Sequence, residues 1–289
     1  MNIGSQEHDP EMPLNILKRL DRLAEISFEE CPGYLHDDHR FVLPLIFSSQ
    51  QAERLPRPCK IIMFDRHHDA LLPRTQDVIA EIDTMRCNGF GLEELIAFCN
   101  ARLCANDDDW IKAGMGLGLI SDGVVFGVED CGNPDLETFR DSQGIDHRFK
   151  ILSTFPGPAL EEHGELVDLA RADEFRPAWD VLEWNHVPGE GFRFHPRGGH
   201  ILLDIDLDAF VMCWSDYVFP WENEVFEDRF LKRTTQRWNG KQFFRELVSR
   251  AGLLTIAREP RCCGNRTKAR VVWNRINKFL FDQRLRIHR

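Results

Sequence analysis

The chain has 289 residues, 43% of them hydrophobic, and a formal net charge of -11 at pH 7, so it has enough apolar material for a sizeable core. The acidic balance argues against nucleic acid as the main partner, because duplex binding depends on clustered Lys and Arg; it suits a cationic substrate better. The first residues, "MNIGSQEHDPEMP", have neither the basic start nor the apolar stretch expected of a signal peptide, and no stretch approaches the roughly 18 to 20 continuous apolar residues of a membrane helix. We therefore expect a soluble, cytoplasmic protein that does not bind membranes.

The first part of the chain predicts alternating helices and strands. Residues 1–20 are interpreted as a polar arm leading into a short amphipathic helix, "PLNILKRLDRLAEI". A helix beginning near Pro44 precedes a buried strand, "CKIIMFD", whose compact apolar run ends in polar residues. Two further helices are predicted, at 92–103 and in "DWIKAGMGLGLI", and then a strand, "GVVFGVE".

The second part continues this alternation. Residues 130–199, rich in Pro, Gly and charge, are interpreted as an elaboration of the same domain, with a strand-like "FKILSTF" and a helix-like "GELVDLARA". A second buried strand lies in "HILLDIDLDAF", and "FFRELVSRAGLLTIAREP" predicts a helix, Gly252 and a last strand. Strands that alternate with helices predict an α/β fold, a three-layer αβα sandwich with a mainly parallel sheet, as a single domain over residues 1–289.

Acidic clusters follow both buried strands. The positions involved are Asp65, His67, Asp69, Asp204, Asp206 and Asp208. Alternate residues of a strand point the same way, and active sites of parallel sheets lie beyond the carboxyl ends of the strands. One D-x-D alone is as typical of an exposed loop as of a metal site, but carboxylates behind two buried strands need a positive partner.

Carboxylates with a little imidazole suit manganese or magnesium better than zinc. A calcium loop does not fit, because Leu207 and Ala209–Phe210 stand where that motif requires glycine and further oxygen ligands. The nine cysteines, scattered without paired C-x-x-C units, do not predict a structural zinc site or a disulfide framework.

The two clusters also carry a family resemblance. "FDRHHDA" resembles the D-x-H-x-D signature of the arginase and agmatinase (ureohydrolase) superfamily, and "LLDIDLDAF" resembles its D-x-D signature. Together with "DDHRFVLPLIF", "DDWIKAGMGLGLI", "FPWENEVFED" and "LLTIAREP", they resemble more closely the arginase-like family that includes the peptide arginases of bacterial ribosomal-peptide pathways. The resemblance spans roughly residues 35 to 265 and implies an arginase-like fold.

The resemblance implies a site for two Mn²⁺ ions. The first ion would be held by His39, Asp65, Asp69 and Asp204. The second would be held by Asp65, His67, Asp204 and Asp206, so that Asp65 and Asp204 bridge the two. His36 is an alternative to His39 as a ligand, and His68 and Asp208 are expected to point away from or past the cluster.

The implied activity is hydrolysis of arginine side chains in a precursor peptide to ornithine and urea. Asp69 would carry the proton to the leaving amine, and Glu259 would bind the guanidinium, although arginases place that glutamate about two positions earlier, where this chain has Ala257. The segment that grips free arginine's α-groups has no counterpart in "ALLPRTQDVIAEIDTMRC", which favours a peptide substrate. The alternatives are a small-molecule ureohydrolase, a metal-dependent amide deacetylase, and a non-catalytic metal-binding module.

Overall fold

The structure is a computed structural model that describes most of the chain. The described residues are 16–17, 20, 22–73, 75–104, 109–129, 135–152, 184–187, 191–194, 201–231 and 240–288. Every structural statement below concerns these residues.

Strands and helices are numbered here in chain order. The strands are β1 (Ala24–Phe28), β2 (Cys31–His36), β3 (Cys59–Phe64), β4 (Ile120–Phe126), β5 (Asp135–Arg140), β6 (Asp146–Leu152), β7 (Trp184–Val187), β8 (Gly191–Phe194), β9 (Ile201–Asp206), β10 (Val211–Trp214), β11 (Tyr217–Pro220), β12 (Ala251–Ala257) and β13 (Arg286–Ile287). The helices are α1 (Val42–Gln51), α2 (Gln76–Asn88), α3 (Leu92–Arg102), α4 (Trp110–Gly116), α5 (Asn223–Phe226), α6 (Gly240–Arg250) and α7 (Arg266–Phe279).

A nine-stranded sheet organises the fold. Its order is β13-β1-β2-β12-β9-β3-β4-β6-β5. The six strands from β2 to β6 in this order are parallel, and antiparallel strands, β1 with β13 and β5, extend the two edges. Two separate hairpins, β7–β8 and β10–β11, stand outside this sheet.

Helices cover both faces of the sheet. One hydrophobic core joins the sheet to α1–α4 through residues such as Leu45, Leu95 and Trp110. The other joins it to α5–α7 through residues such as Phe244 and Val272. The prediction of a three-layer α/β fold with a mainly parallel sheet is therefore confirmed. None of the helices in the described part of the chain combines the length and apolarity that crossing a bilayer requires.

The central strands are apolar because both of their faces are covered. Every residue of β9 is buried, and so are five of the six residues of β3. Strands of this kind form nearly continuous apolar runs, which is why the sequence predicted them. The backbones also approach closely at Gly33 in β2, where a Cβ atom would collide with the carbonyl oxygen of Leu254 in β12.

The predicted elements are largely confirmed, with local differences. The helix expected from Pro44 begins at Val42, and the helix in "DWIKAGMGLGLI" ends at Gly116, because Gly118 has a positive φ of 70° and β4 follows. The amphipathic helix expected near the N-terminus is wrong at its end, where Ala24 begins a strand.

Some elements escaped prediction, and some predictions lie outside the described residues. Helices α2 and α7 were not predicted, and neither was the β1–β2 hairpin. Part of the expected elaboration, residues 135–152, forms the last two strands of the sheet. The helix expected in "GELVDLARA" and the polar arm lie outside the residues that the structure describes.

Candidate metal centre

The predicted clusters meet at one edge of the sheet. Strands β2, β12, β9 and β3 are parallel neighbours, so their carboxyl ends lie side by side. In the register of these strands, Asp204 lies between Met63 of β3 and Thr255 of β12. The residues that follow the four strand ends therefore converge, as the strand pattern predicted.

His39 stands at the centre of the cluster. It lies in a short 3₁₀ turn after β2, where the side chain of Asp38 caps the turn by accepting a hydrogen bond from the backbone N–H of Arg40. The ring is almost fully buried, and its Nδ1 faces three carboxylates, at 3.0 Å from Asp69, 3.3 Å from Glu259 and 3.5 Å from Asp206.

Asp204 lies behind His39. Its Oδ2 accepts a hydrogen bond from His39 Nε2 at 2.9 Å, and its Oδ1 accepts one from the hydroxyl of Thr255. Both oxygens of Asp204 are thus occupied by protein groups. The bond from Nε2 to Asp204 directs Nδ1 of His39 toward the other carboxylates, and the raised pKa of His39 keeps a proton on Nδ1 as long as no cation is bound.

Asp208 faces the cluster, against the expectation that it points away. Its Oδ2 lies 3.1 Å from Nδ1 of His67, and its Oδ1 accepts a hydrogen bond of 3.4 Å from the backbone N–H of Arg66. Asp208 is fully buried, whereas the side chain of His67 is half-exposed. A 3₁₀ turn over Leu207–Phe210 replaces the strand geometry and brings Asp208 back toward the site.

The same local hydrogen bond shapes the chain after both β3 and β9. Asp65 Oδ1 accepts from the backbone N–H of His67 at 2.7 Å, and Asp206 Oδ1 accepts from that of Asp208 at 2.7 Å. Aspartate readily forms such a turn with the residue two positions on. In Asp65 and in Asp206, one carboxylate oxygen fixes the turn and the other is left for the site.

Asp69 and Glu259 both have unusual backbone conformations. Their φ angles are +47° and +30°, in the left-handed region that few non-glycine residues adopt. Asp69 Oδ2 accepts a hydrogen bond of 2.9 Å from the indole N–H of Trp110, a buried ring that stacks on His39 with centroids 5.6 Å apart. Strain of this kind is typical of functional sites.

Burial and mutual repulsion change the pKa values of the cluster. Burial, with the charges of neighbouring carboxylates, raises the pKa of Asp65 and Asp206 well above the usual value. Burial also raises the pKa of Asp69, against the opposing hydrogen bond from His39. For His39 burial acts to lower the pKa, but the surrounding carboxylates outweigh it and hold the pKa well above normal. The site therefore retains protons when no cation neutralises it.

Several carboxylate oxygens of the cluster have no hydrogen-bond donor. Oδ2 of Asp65, of Asp206 and of Asp208 are among the buried oxygens that accept no hydrogen bond from the described residues. Buried carboxylate oxygens of this kind need a cation or a proton. The donor atoms of His39, Asp65 and Asp69 lie within 4.8 Å of one another, and those of Asp65, His67 and Asp208 form a second such group. Each of these two groups consists of carboxylates and one imidazole, so its residues fit a hard metal cation.

Two histidines considered from the sequence stand apart from these groups. His36 is fully buried, its Nδ1 lies 3.1 Å from the carbonyl oxygen of Asp38, and burial lowers its pKa to about 4. His68 Nδ1 accepts a hydrogen bond from the backbone N–H of Ala70. Neither residue belongs to the donor groups, whereas His39 does.

Three contributors were not anticipated. Thr255 and Trp110 bond to Asp204 and Asp69, and the thiol of Cys262 lies within 4.8 Å of donor oxygens of Asp208 and Glu259. None forms a local motif with the acidic clusters, so only the folded chain brings them together.

Comparisons with known proteins give no family assignment for this chain. No protein-family model matches the chain, and a comparison with curated proteins finds no significant match.

Proposed function

We propose that this protein is a manganese-dependent hydrolase that converts arginine side chains of a ribosomally made peptide to ornithine and releases urea. The observation that carries the proposal is the pair of donor groups that share Asp65, with carboxylate oxygens that lack hydrogen-bond donors, beside the buried Glu259. The resemblance of the ordered motifs to the peptide arginases supports it, and a cytoplasmic location, where such peptides are made, is part of the proposal.

The distances favour a ligand set displaced by one D-x-D step from the one that the sequence resemblance implied. The residues proposed for the first ion are His39, Asp65, Asp69 and Asp206. The second ion would be held by Asp65, His67 and Asp208. Asp204 then orients His39 instead of binding metal, because both of its oxygens already accept hydrogen bonds.

When bound, two such ions lower the pKa of water and supply positive charge beside the reacting guanidinium carbon. The other roles belong to side chains of this protein. Glu259, 7% exposed at the end of β12, offers a carboxylate that matches the planar guanidinium. Asp69 belongs to the same donor group as His39 and Asp65, so its carboxylate would accept the proton that the attacking water loses and pass it to the leaving amine of ornithine.

Two features favour arginine within a peptide over free arginine. The chain carries a net charge of -11, which attracts a cationic partner. The segment after Asp69 has no counterpart of the polar segment with which arginases hold free arginine's α-groups, nor of the histidine proton shuttle in that segment. A peptide draws its affinity from its backbone and neighbouring side chains instead, so kcat/KM should be several powers of ten higher for a cognate peptide than for free arginine.

The test is to incubate the manganese-loaded protein with arginine-containing peptides and with free arginine, measuring urea and the peptide mass. We expect urea together with the mass change of arginine to ornithine, none with peptides that carry lysine in place of arginine, and none with Asp65→Ala. Removal of acetyl groups from acetyl-lysine peptides, without urea from any arginine substrate, would replace the proposal with the deacetylase. Absence of any metal-dependent turnover would leave a binding module.

A further inference from the structure

The hairpin β10–β11 presents a continuous apolar face to solvent. Met212 pairs with Phe219 and Trp214 pairs with Tyr217 across the two strands, so all four side chains lie on one side. Their exposed fractions are 47%, 45%, 78% and 66%. We call these four residues the aromatic face. The rings of Tyr217 and Phe219 stack with centroids 6.3 Å apart.

The opposite side of this hairpin is attached to the body of the protein. Val211 belongs to the hydrophobic core, and Cys213 and Val218 pack against it. The hairpin is thus apolar on both sides, although a surface hairpin normally turns polar side chains outward. Contiguous exposed apolar patches mark binding surfaces, whereas single exposed apolar residues need no explanation.

The hairpin that carries the aromatic face borders the candidate metal centre through its other side. The hairpin begins directly after the 3₁₀ turn that carries Asp208. From its inner side, Cys213 forms a side-chain hydrogen bond with Arg66, which lies between the proposed ligands Asp65 and His67. Val218 lies against Gly264, in the loop that follows Glu259, where an added Cβ would be 3.1 Å from that of Val218. Two loops of the site therefore contact the inner side of the hairpin.

The surroundings of the aromatic face are acidic. The segment 204–228 contains no Lys, Arg or His. Its exposed acidic residues beyond the site are Asp216, Glu222, Glu224, Glu227 and Asp228. The cations that approach the hairpin are engaged by it: Lys268 donates to the carbonyl oxygen of Val218 at 2.6 Å and lies 5.7 Å from the ring centre of Phe219, and Arg275 donates to the carbonyl oxygen of Pro220 at 3.1 Å. A partner suited to this surface is apolar and carries positive charge.

We propose that the aromatic face binds the part of the substrate peptide that flanks the target arginine, through apolar side chains of that peptide. This inference rests on the proposed function, because it takes the same peptide as the partner. A second copy of the protein fits less well, since two such faces would bring their acidic borders together. The site lacks the groups that hold the α-amino and α-carboxylate groups of free arginine. The hairpin would supply affinity for the peptide in their place.

The test measures peptide binding separately from turnover. The probe is a fluorescein-labelled peptide with one arginine flanked by Leu and Phe, and its partner has Ser in place of Leu and Phe. Binding to the manganese-loaded protein is followed by fluorescence anisotropy for the wild type, Trp214→Ser and Tyr217→Ser. The matched control is Ile145→Ser, which removes a 50% exposed apolar side chain from the turn between β5 and β6.

We expect Trp214→Ser and Tyr217→Ser each to weaken binding of the Leu/Phe peptide by about tenfold or more, as for aromatic side chains at the centre of an interface. Ile145→Ser should bind like the wild type, and the Ser peptide should bind weakly to every variant. Equal binding by all variants overturns the inference. A wild-type dimer in sedimentation velocity that Trp214→Ser dissociates also overturns it, in favour of a contact between copies. Peptide binding without urea release rejects the proposed function alone, and urea release that Trp214→Ser leaves unchanged rejects this inference alone.

Discussion

His39 and Asp204 form a buried hydrogen bond of 2.9 Å that fixes the orientation of the imidazole at the centre of the acidic cluster. The carboxylate accepts a hydrogen bond from Nε2, so Nδ1 faces the proposed metal position and would bind the ion after losing its own proton. Histidine ligands in metalloproteins are commonly held in this way by a carboxylate behind the ring. In the proposed site, Asp204 therefore positions the ligand His39 and does not itself contact the ion.

The first prediction tests which aspartates contact metal. Asp208→Ala should bind one Mn²⁺ ion fewer than the wild type, because it removes a donor from the group with Asp65 and His67. Asp204→Asn should keep the full number of ions, since an amide oxygen still accepts the hydrogen bond of His39. Metal analysis of the purified proteins gives the answer, with Asp216→Ala in the exposed hairpin turn as the control. Unchanged metal content in Asp208→Ala contradicts the ligand set.

The second prediction concerns the hydroxyl of Thr255. This side chain is fully buried and donates to Asp204, and so supports the carboxylate that orients His39. Thr255→Val keeps the shape but removes the donor, and we expect metal affinity to fall by about 10- to 100-fold, as for other groups that orient metal ligands. Thr255→Ser retains the hydroxyl and should stay close to the wild type. Competition titration with a fluorescent chelator measures both, and equal loss in the two variants would point to packing instead.

The third prediction is that removing metal makes the fold sensitive to alkaline pH. The folded-state pKa values of Asp65 and Asp206 are raised, so their favourable contribution is present below the unfolded pKa near 3.8 and is lost as pH rises through the folded pKa. The raised pKa of His39 acts in the same direction, above its unfolded value of 6.5. His36, with a folded pKa of about 4, loses its contribution only as pH falls below 6.5.

Thermal unfolding from about pH 6.5 to 8 therefore measures the effect of Asp65, Asp206 and His39 without that of His36. The metal-free protein should lose stability as pH rises, whereas deprotonated ligands bind Mn²⁺ more tightly. The increase in Tm on adding Mn²⁺ should grow with pH, and Asp65→Ala should reduce it. A metal effect that shrinks with rising pH would falsify this interpretation of the cluster.

The fourth prediction concerns the close contact between β2 and β12. Gly33→Ala places a Cβ against the carbonyl oxygen of Leu254 and about 3.1 Å from a side-chain carbon of Ile26. Backbone cannot yield as a flexible side chain does, so unfolding in urea should show a loss of about 1–3 kcal/mol. The control is Gly91→Ser, where an added Cβ meets no atom within 4 Å and serine is a favourable helix N-cap. Equal stability of the two variants would mean that the strands separate without cost.

The sequence predicted those parts of the fold whose burial is continuous. Strands β3 and β9 are recognisable because both faces are covered, and the acidic residues after them mark the edge where the site lies. The β1–β2 hairpin escaped prediction because it mixes apolar residues with polar ones and contains Pro32 and Gly33. Helix α7 carries many basic residues on its exposed side, which obscured its buried apolar stripe.

The sequence predicted where in the fold the candidate site lies, but not which contacts its side chains make. Period-2 spacing directs Asp204 and Asp206 the same way, but it carries no information about the hydroxyl of Thr255, which accounts for one oxygen of Asp204. Strand spacing also ends at Asp206, and the turn that follows decides the direction of Asp208. Contacts between residues far apart in the chain, such as Trp110 with Asp69, leave no local signal.

The order of the strands has a consequence for how the protein is made. Strands β12 and β9 lie in the middle of the sheet, between β2 and β3, yet they belong to the last third of the chain. A nascent chain that has left the ribosome only up to β6 can form the β1–β2 pair and the group β3-β4-β6-β5, but the two pieces have no strand between them. The carboxylates of Asp206 and Asp208 and of Glu259 arrive with the late strands. Binding of the proposed ions would therefore follow nearly complete synthesis, and the two exposed inner edges are where misassembly of the unfinished chain would begin.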